Sequence, residues 1–109
     1  MVENQERGPL TETVFYVLLA LHEPMHGYGI MQRAGEMSGG RVTIGPGTLY
    51  GALTTLVEKG WIAPLDGDSG DRKKQYVITE AGRTVVHAEL ARLEELLATG
   101  RRIAERESL

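Results

Sequence analysis

The chain contains no cysteine, which excludes disulfides, thiolate metal ligands and a cysteine nucleophile, and fits a reducing compartment. It also lacks a long apolar run. The longest, Val14 to Leu21, is far too short to cross a bilayer, and the acidic stretch Glu3 to Glu6 is unlike a signal peptide. The expected location is the cytoplasm, with no membrane partner. Catalytic constellations are missing too: there is no nucleophile with its base, no carboxylate pair suited to a cleft and no metal-ligand spacing. His22 and His26 straddle Pro24 with Glu23 between them, but a structural or surface role suits them better than metal ligation, and His87 stands alone. The glycine clusters lack the lysine of a phosphate-binding loop. Neither an enzyme nor a cofactor is expected. Internal repeats and low-complexity segments are absent. Positive charge is scarce as well: the formal net charge is -3, which argues mildly against nucleic acid as a partner.

What is present is one domain's worth of chain, 109 residues that are 41% hydrophobic and 25% charged. So small a chain buries a modest core, and a second subunit covering apolar surface would add stability. The distribution of charge matters more than its sum. From Met37 to Val57 the single charged residue is Arg41, and the basic triplet Arg72, Lys73 and Lys74 follows acidic Asp66, Asp68 and Asp71. Positive potential is local.

Residues 1–9 are polar and expected to be loosely attached. Thr11 offers an N-cap for a first helix over 12–22, ahead of Pro24. That helix is apolar almost all round, so burial on more than one side is expected, by its own chain or by a second subunit. A second helix over 27–37 carries Ile30, Ala34 and Met37 at helical spacing and stops at Gly39 and Gly40. Residues 41–44 read as a short strand. Gly45, Pro46 and Gly47 open a third helix that runs to Lys59 and ends at Gly60, with proline suited to the first turn. Leu49, Leu53 and Leu56 form its core face, while Thr48, Gly51, Thr54, Thr55 and Glu58 lie opposite with Tyr50 on the flank.

Two extended pieces, 61–65 and 74–79, are joined by a loop over 66–73 rich in Gly, Asp and Ser, which makes a hairpin. Thr79 and Glu80 then open a long helix in which Val86, Leu90, Leu93, Leu97, Gly100 and Ala104 follow a 4-3-4-3-4 spacing, a coiled-coil-like seam. The seam is too short to stand alone, and the apolar first helix is its natural partner. The expected fold is mostly α with a small β-hairpin: a winged helix-turn-helix over 10–79, then a dimerisation helix over 80–109. Phe15, Leu19, Val86, Leu90, Leu93 and Leu97 are the expected dimer contacts.

A family emerges from the residues taken in order: His26-Gly27-Tyr28-Gly29-Ile30, Gly39-Gly40-Arg41, Gly45-Pro46-Gly47-Thr48-Leu49-Tyr50, Leu53, Leu56, Gly60-Trp61-Ile62, Arg72-Lys73-Lys74, Tyr76 and Thr79-Glu80-Ala81-Gly82. Over about residues 10–97 the chain resembles PadR-type transcriptional regulators, in the short subfamily with one C-terminal helix. The resemblance implies a homodimeric repressor on a palindromic operator, often released by a small aromatic or drug-like ligand. Some short members hold flat drugs between tryptophans of the terminal helix. Here the one tryptophan is Trp61 and the terminal helix has no aromatic, which speaks against that binding mode and leaves other effectors open.

With that resemblance in hand, the third helix becomes the one that enters the major groove. Gly47 and Gly51 permit close approach, and Thr48, Thr54 and Thr55 offer hydroxyls and methyls to phosphates and base edges. Backbone amides near Gly47 and Thr48 suit a phosphate. The alternative is that Gly51 admits a packed neighbour and the threonines are solvated. Tyr50 reaches phosphate or sugar, or else fills the core margin. Tyr28 anchors phosphate or braces the motif. Arg41, Arg72, Lys73 and Lys74 would supply backbone contacts, although a charge run is often only a solvated face. A dimer of this kind calls for an inverted-repeat duplex with half-sites about one turn, ~10 bp, or a multiple of it apart. The rival function is a winged helix that binds protein and no DNA, which suits the acidic net charge but leaves the acid-free stretch and basic triplet as accidents.

Overall fold

The computed structural model describes residues 8–65 and 74–107. Helix α1 spans Glu12–Ala20, and Thr11 caps it by accepting a 3.1 Å hydrogen bond from the Val14 amide. It stops two residues short of the sequence expectation for a local reason. Nδ1 of His22 donates to the Leu18 and Leu19 carbonyls at 3.0 and 3.2 Å, satisfying groups the next turn would have used. Strand β1, Met25–His26, follows and leads straight into α2, Gly27–Met37. His26 caps α2 through Nδ1, which accepts from the Gly29 amide at 3.4 Å. Both histidines near Pro24 thus finish or start a helix.

Residues 41–44 are not a strand, contrary to the sequence reading. They cross from α2 to α3 without sheet pairing, and Val42 and Ile44 are buried in the core. Alternation of apolar and polar residues suggests a strand, and here it serves a linker that plugs the gap between two helices. Helix α3 is Pro46–Lys59, with Pro46 at its start and Gly60 closing it in the left-handed region at φ 79°, where a side chain would be strained. Beyond Gly60, the Trp61 amide donates back to the Leu56 carbonyl at 3.0 Å.

Strands β2 (Ile62–Leu65) and β3 (Gln75–Ile78) form the antiparallel hairpin, with Ile62 opposite Ile78 and Leu65 opposite Gln75. On its other edge β3 pairs with β1, Met25 opposite Tyr76, so the sheet has three strands in the order β1-β3-β2. The strand at 25–26 is invisible in the sequence because two residues after a proline carry no periodicity. Helix α4 runs Glu80–Glu107 without a break at Gly100. Thr79 starts it, accepting from the Gly82 amide at 3.1 Å while donating to the Gly60 carbonyl at 2.7 Å, which ties the end of α3 to the start of α4. Gly82 lies so close to the Trp61 carbonyl and the Ile78 side chain that an added Cβ would collide with both.

The core joins Val17, Leu18 and Leu21 of the α1 end, Ile30 and Ala34 of α2, Leu49, Leu53 and Leu56 of α3, Ile62 and Ile78 of the sheet, and Val85 and Val86 of α4. Each large aliphatic among them contributes roughly 1.5–3 kcal/mol by leaving water. Beyond the first three turns α4 leaves this core. At 1.5 Å per residue its 28 residues reach about 42 Å, and the molecule measures 61 × 34 × 21 Å with a radius of gyration of 16.2 Å, against about 13 Å for a compact chain of this size.

Candidate nucleic-acid interface

The two faces of α3 have different fates. Leu49, Leu53 and Leu56 are buried, and this fixes the opposite side toward water: Gly47, Thr48, Gly51, Thr54 and Thr55 are all exposed. No carboxylate lies on α3 before Glu58. No side chain caps its N-terminus, so the first-turn amides beside Gly47 and Thr48 face outward without an intrahelical acceptor. Around Gly47 and Gly51 an added Cβ would meet nothing within 4 Å, so neither glycine is there to admit a neighbour from its own chain. The Thr54 hydroxyl donates to the Tyr50 carbonyl at 3.0 Å, leaving its methyl and an oxygen lone pair outward.

Tyr50 is half exposed and leans on the first turn of α2. An added Cβ at Gly27 would meet its hydroxyl oxygen at 2.6 Å and Leu49 at 3.4 Å, so Gly27 serves close packing between α2 and α3. Neither glycine beside Tyr28 has positive φ, so it is this close contact, not backbone conformation, that calls for Gly27. Tyr28 itself is 62% exposed and next to that junction. Tyr28 and Tyr50 therefore stand at one edge of the α3 face.

At the other edge the hairpin base approaches α3. Lys74, exposed at the entry to β3, shares with Thr54, Glu58 and Tyr76 a groove of about 240 Å³ floored by Leu53 and Val57. Arg72 and Lys73, the rest of the basic triplet, lie outside the described residues. Arg41 is exposed, yet its charge is engaged: Nη1 donates to Glu12 Oε1 at 2.8 Å. That hydrogen bond, then the carboxylate's charge, raises its pKa above the ordinary arginine value. Sequence reasoning does not find Glu12, because a pair 29 residues apart leaves no periodic trace. Among the described residues no group of three or more histidines or carboxylates is arranged to hold a metal.

With this geometry in view, the comparison with known proteins is decisive at the level of family. A model described as the transcriptional regulator PadR-like family matches residues 15–88, more than half of the chain. The chain belongs to the PadR-like family. The match takes in α1 from Phe15 onward, all of α2 and α3, strands β1 to β3 and the start of α4. A PadR family transcriptional regulator from Eggerthella lenta has a similar solved structure, 25% identical, covering 84% of this chain and 76% of that one at a TM-score of 0.69. So has a PadR-like transcription factor from Bacteroides fragilis, 25% identical over 94% of this chain and 97% of that one, TM-score 0.66. An uncharacterised 37.1 kDa protein in transposon TN4556 of Streptomyces fradiae is 42% identical over 67% of this chain. The match spans 20% of that protein's length. Members of the PadR-like family are transcriptional regulators, not enzymes, and the fold is the winged-helix arrangement the residues implied.

The residues expected at a dimer contact divide in two. Val86 is only 3% exposed and packed in the chain's own core, where it holds α4 on the domain. Leu90, Leu93 and Leu97 are 43, 40 and 54% exposed, and they are joined by Leu96 and Ile103, which lie outside the expected seam. A second row, Leu93, Leu96, Gly100 and Ile103, runs beside the first at a 3-4-3 spacing that is legible in the sequence. Phe15 and Leu19 of α1 are half-buried. Phe15 and Tyr16 border a groove of about 220 Å³ with Leu93, Arg92 and Glu89 of α4. Glu89 is a buried carboxylate that accepts from Arg92 Nε at 3.0 Å and from the Leu10 amide at 3.3 Å. No helix of the described residues is long and apolar enough to cross a membrane.

Proposed function

We propose that this PadR-like regulator is a homodimeric repressor that reads an inverted-repeat operator with α3 and flanks it with the hairpin. The observation that carries the reading is the outward face of α3, where exposed glycines and threonines, an uncapped N-terminus and the absence of carboxylates before Glu58 coincide. Such a surface admits a duplex closely and gives it donors, acceptors and methyl groups without repelling phosphate. On this reading Gly47, Thr48, Gly51, Thr54 and Thr55 meet the major groove, Tyr28 and Tyr50 one phosphate strand, and Arg41, Arg72, Lys73 and Lys74 the flanking backbone. Residues 10–79 then form the DNA-binding part and 80–109 the joint between subunits.

The case for the dimer is physical. Leu90, Leu93, Leu96, Leu97 and Ile103 hold apolar surface in water along a helix that projects beyond its own core, and Phe15 and Leu19 extend that surface at the domain. The two-fold axis of a symmetric pair would impose the inverted repeat. Release by a small ligand is part of the proposal, and the groove between α1 and α4 is the place where it would bear on both the joint and the domain. Cytoplasmic location follows from operator binding.

The test is binding of the purified protein to its own upstream region across a salt series, with unrelated duplex as competitor. Salt-dependent binding that survives competitor supports the reading. A folded dimer that binds no duplex even at low salt replaces it with the protein-interaction alternative.

A further inference from the structure

Arg41 is the one cation between Met37 and Val57, and it precedes by four residues Gly45, from which α3 starts. In the protein alone it is held by Glu12 at 2.8 Å, and both side chains remain about 60% exposed. Glu12 sits in the first turn of α1, where the helix dipole favours a carboxylate, so the acid is stable there whether or not Arg41 is near. The pair thus links a helix outside the helix-turn-helix to the segment that leads into α3.

We infer that Glu12 acts as an internal substitute for DNA phosphate, occupying Arg41 in the free protein and yielding it when the duplex arrives. The inference rests on the DNA-binding reading above. Exchange of one anion for another stabilises the complex less than a contact made by a free arginine, and the released carboxylate attracts a cation of its own, so few counterions are gained. Glu12 therefore weakens binding to every sequence alike, because a phosphate contact carries no base information. Its effect is to hold down affinity for bulk DNA without altering which bases α3 recognises.

The experiment is a double-mutant cycle of Glu12→Gln and Arg41→Ala, read by fluorescence anisotropy on the upstream duplex and on unrelated duplex over a salt series. Glu12→Gln keeps the side chain's size and leaves Thr11 to cap α1. The expected result is binding about two- to fivefold tighter on both duplexes, the range an exposed ion pair spans. The salt slope steepens by about one unit. In the Arg41→Ala background the gain disappears. An equal gain in that background overturns the inference, since loss of any negative charge would then suffice. No gain in either background overturns it too, while wild-type binding leaves the DNA reading intact. A folded wild-type protein that binds neither duplex removes both.

Discussion

Helices α3 and α4 are both amphipathic, and both turn one face to water, yet the faces are opposite in kind. That of α3 shows glycine, threonine and tyrosine; that of α4 beyond the domain shows four leucines and an isoleucine. A face of small polar groups is stable in water and loses little when it approaches another polar surface. A leucine row gains roughly 1.5–3 kcal/mol per side chain when it is covered. One pattern suits a partner that comes and goes with salt, the other a partner that stays. Length follows the same division: α3 is pinned along its whole course by Leu49, Leu53 and Leu56, whereas α4 is anchored through its first three turns, by Gly82, Val85, Val86 and Glu89.

The strongest way to break this contrast is to give α4 the chemistry of α3. Leu93→Glu places a carboxylate in the middle of the apolar row, at a position 40% exposed in the single subunit. Burial of an unpaired charge costs about 3 kcal/mol or more, so the dimer is expected to weaken by about 100-fold or more, with operator binding lost at the same protein concentration. Sedimentation velocity reads the outcome, and an unchanged dimer would move the joint elsewhere. On the α3 side, Thr54→Ala removes the one oxygen and the methyl that point outward while the core face stays intact. Operator binding should fall about fivefold, the value of a contact worth about 1 kcal/mol, with unchanged thermal stability. Tyr50→Ala should act in the same direction, and wild-type affinity in both variants would discredit the face.

The sequence is most informative where one residue does one thing. The leucines of α3 at four- and three-residue spacing, Pro46 at its start and Gly60 at its end define that helix to the residue, since period, cap and stop all agree. It is least informative where contacts are distant or where one pattern has two uses. Val42 and Ile44 alternate like a strand and plug a linker instead. Val86 continues the heptad of Leu90 and Leu93 yet packs in the chain's own core, and spacing along a helix does not say where the helix leaves that core. Of the candidate site, the outward face of α3 follows directly from the inward one. Glu12 beside Arg41 and Tyr50 over Gly27 do not, because both depend on how α1 and α2 pack.

Glycines sharpen the comparison further, with smaller effects. Gly82→Ala drives a methyl into the Trp61 carbonyl and should destabilise the fold by about 1–3 kcal/mol. Gly51→Ala meets open space in the same helical conformation and should stabilise it by about 0.5–1 kcal/mol, while operator affinity drops because the added methyl holds the duplex away. Stability measured by denaturant titration beside anisotropy separates the two quantities. A Gly51→Ala protein that is more stable and binds equally well would show that close approach at this position is not needed.

The smallest expected effect belongs to Lys74, and it tests where the boundary of the α3 surface lies. Its ammonium stands at the hairpin base across a groove from Thr54, but Glu58 is on the same rim and offsets part of its field. A phosphate contact made there should contribute one counterion at most. Lys74→Ala is therefore expected to flatten the salt dependence by about 0.9 units of slope, with equal weakening on operator and unrelated duplex. A change in preference between the two duplexes would place Lys74 at a base edge and extend the reading surface from α3 onto the hairpin. An unchanged slope would remove Lys74 from the contact, and the salt-sensitive part of binding would then have to come from Arg72 and Lys73, since Arg41 only exchanges Glu12 for phosphate.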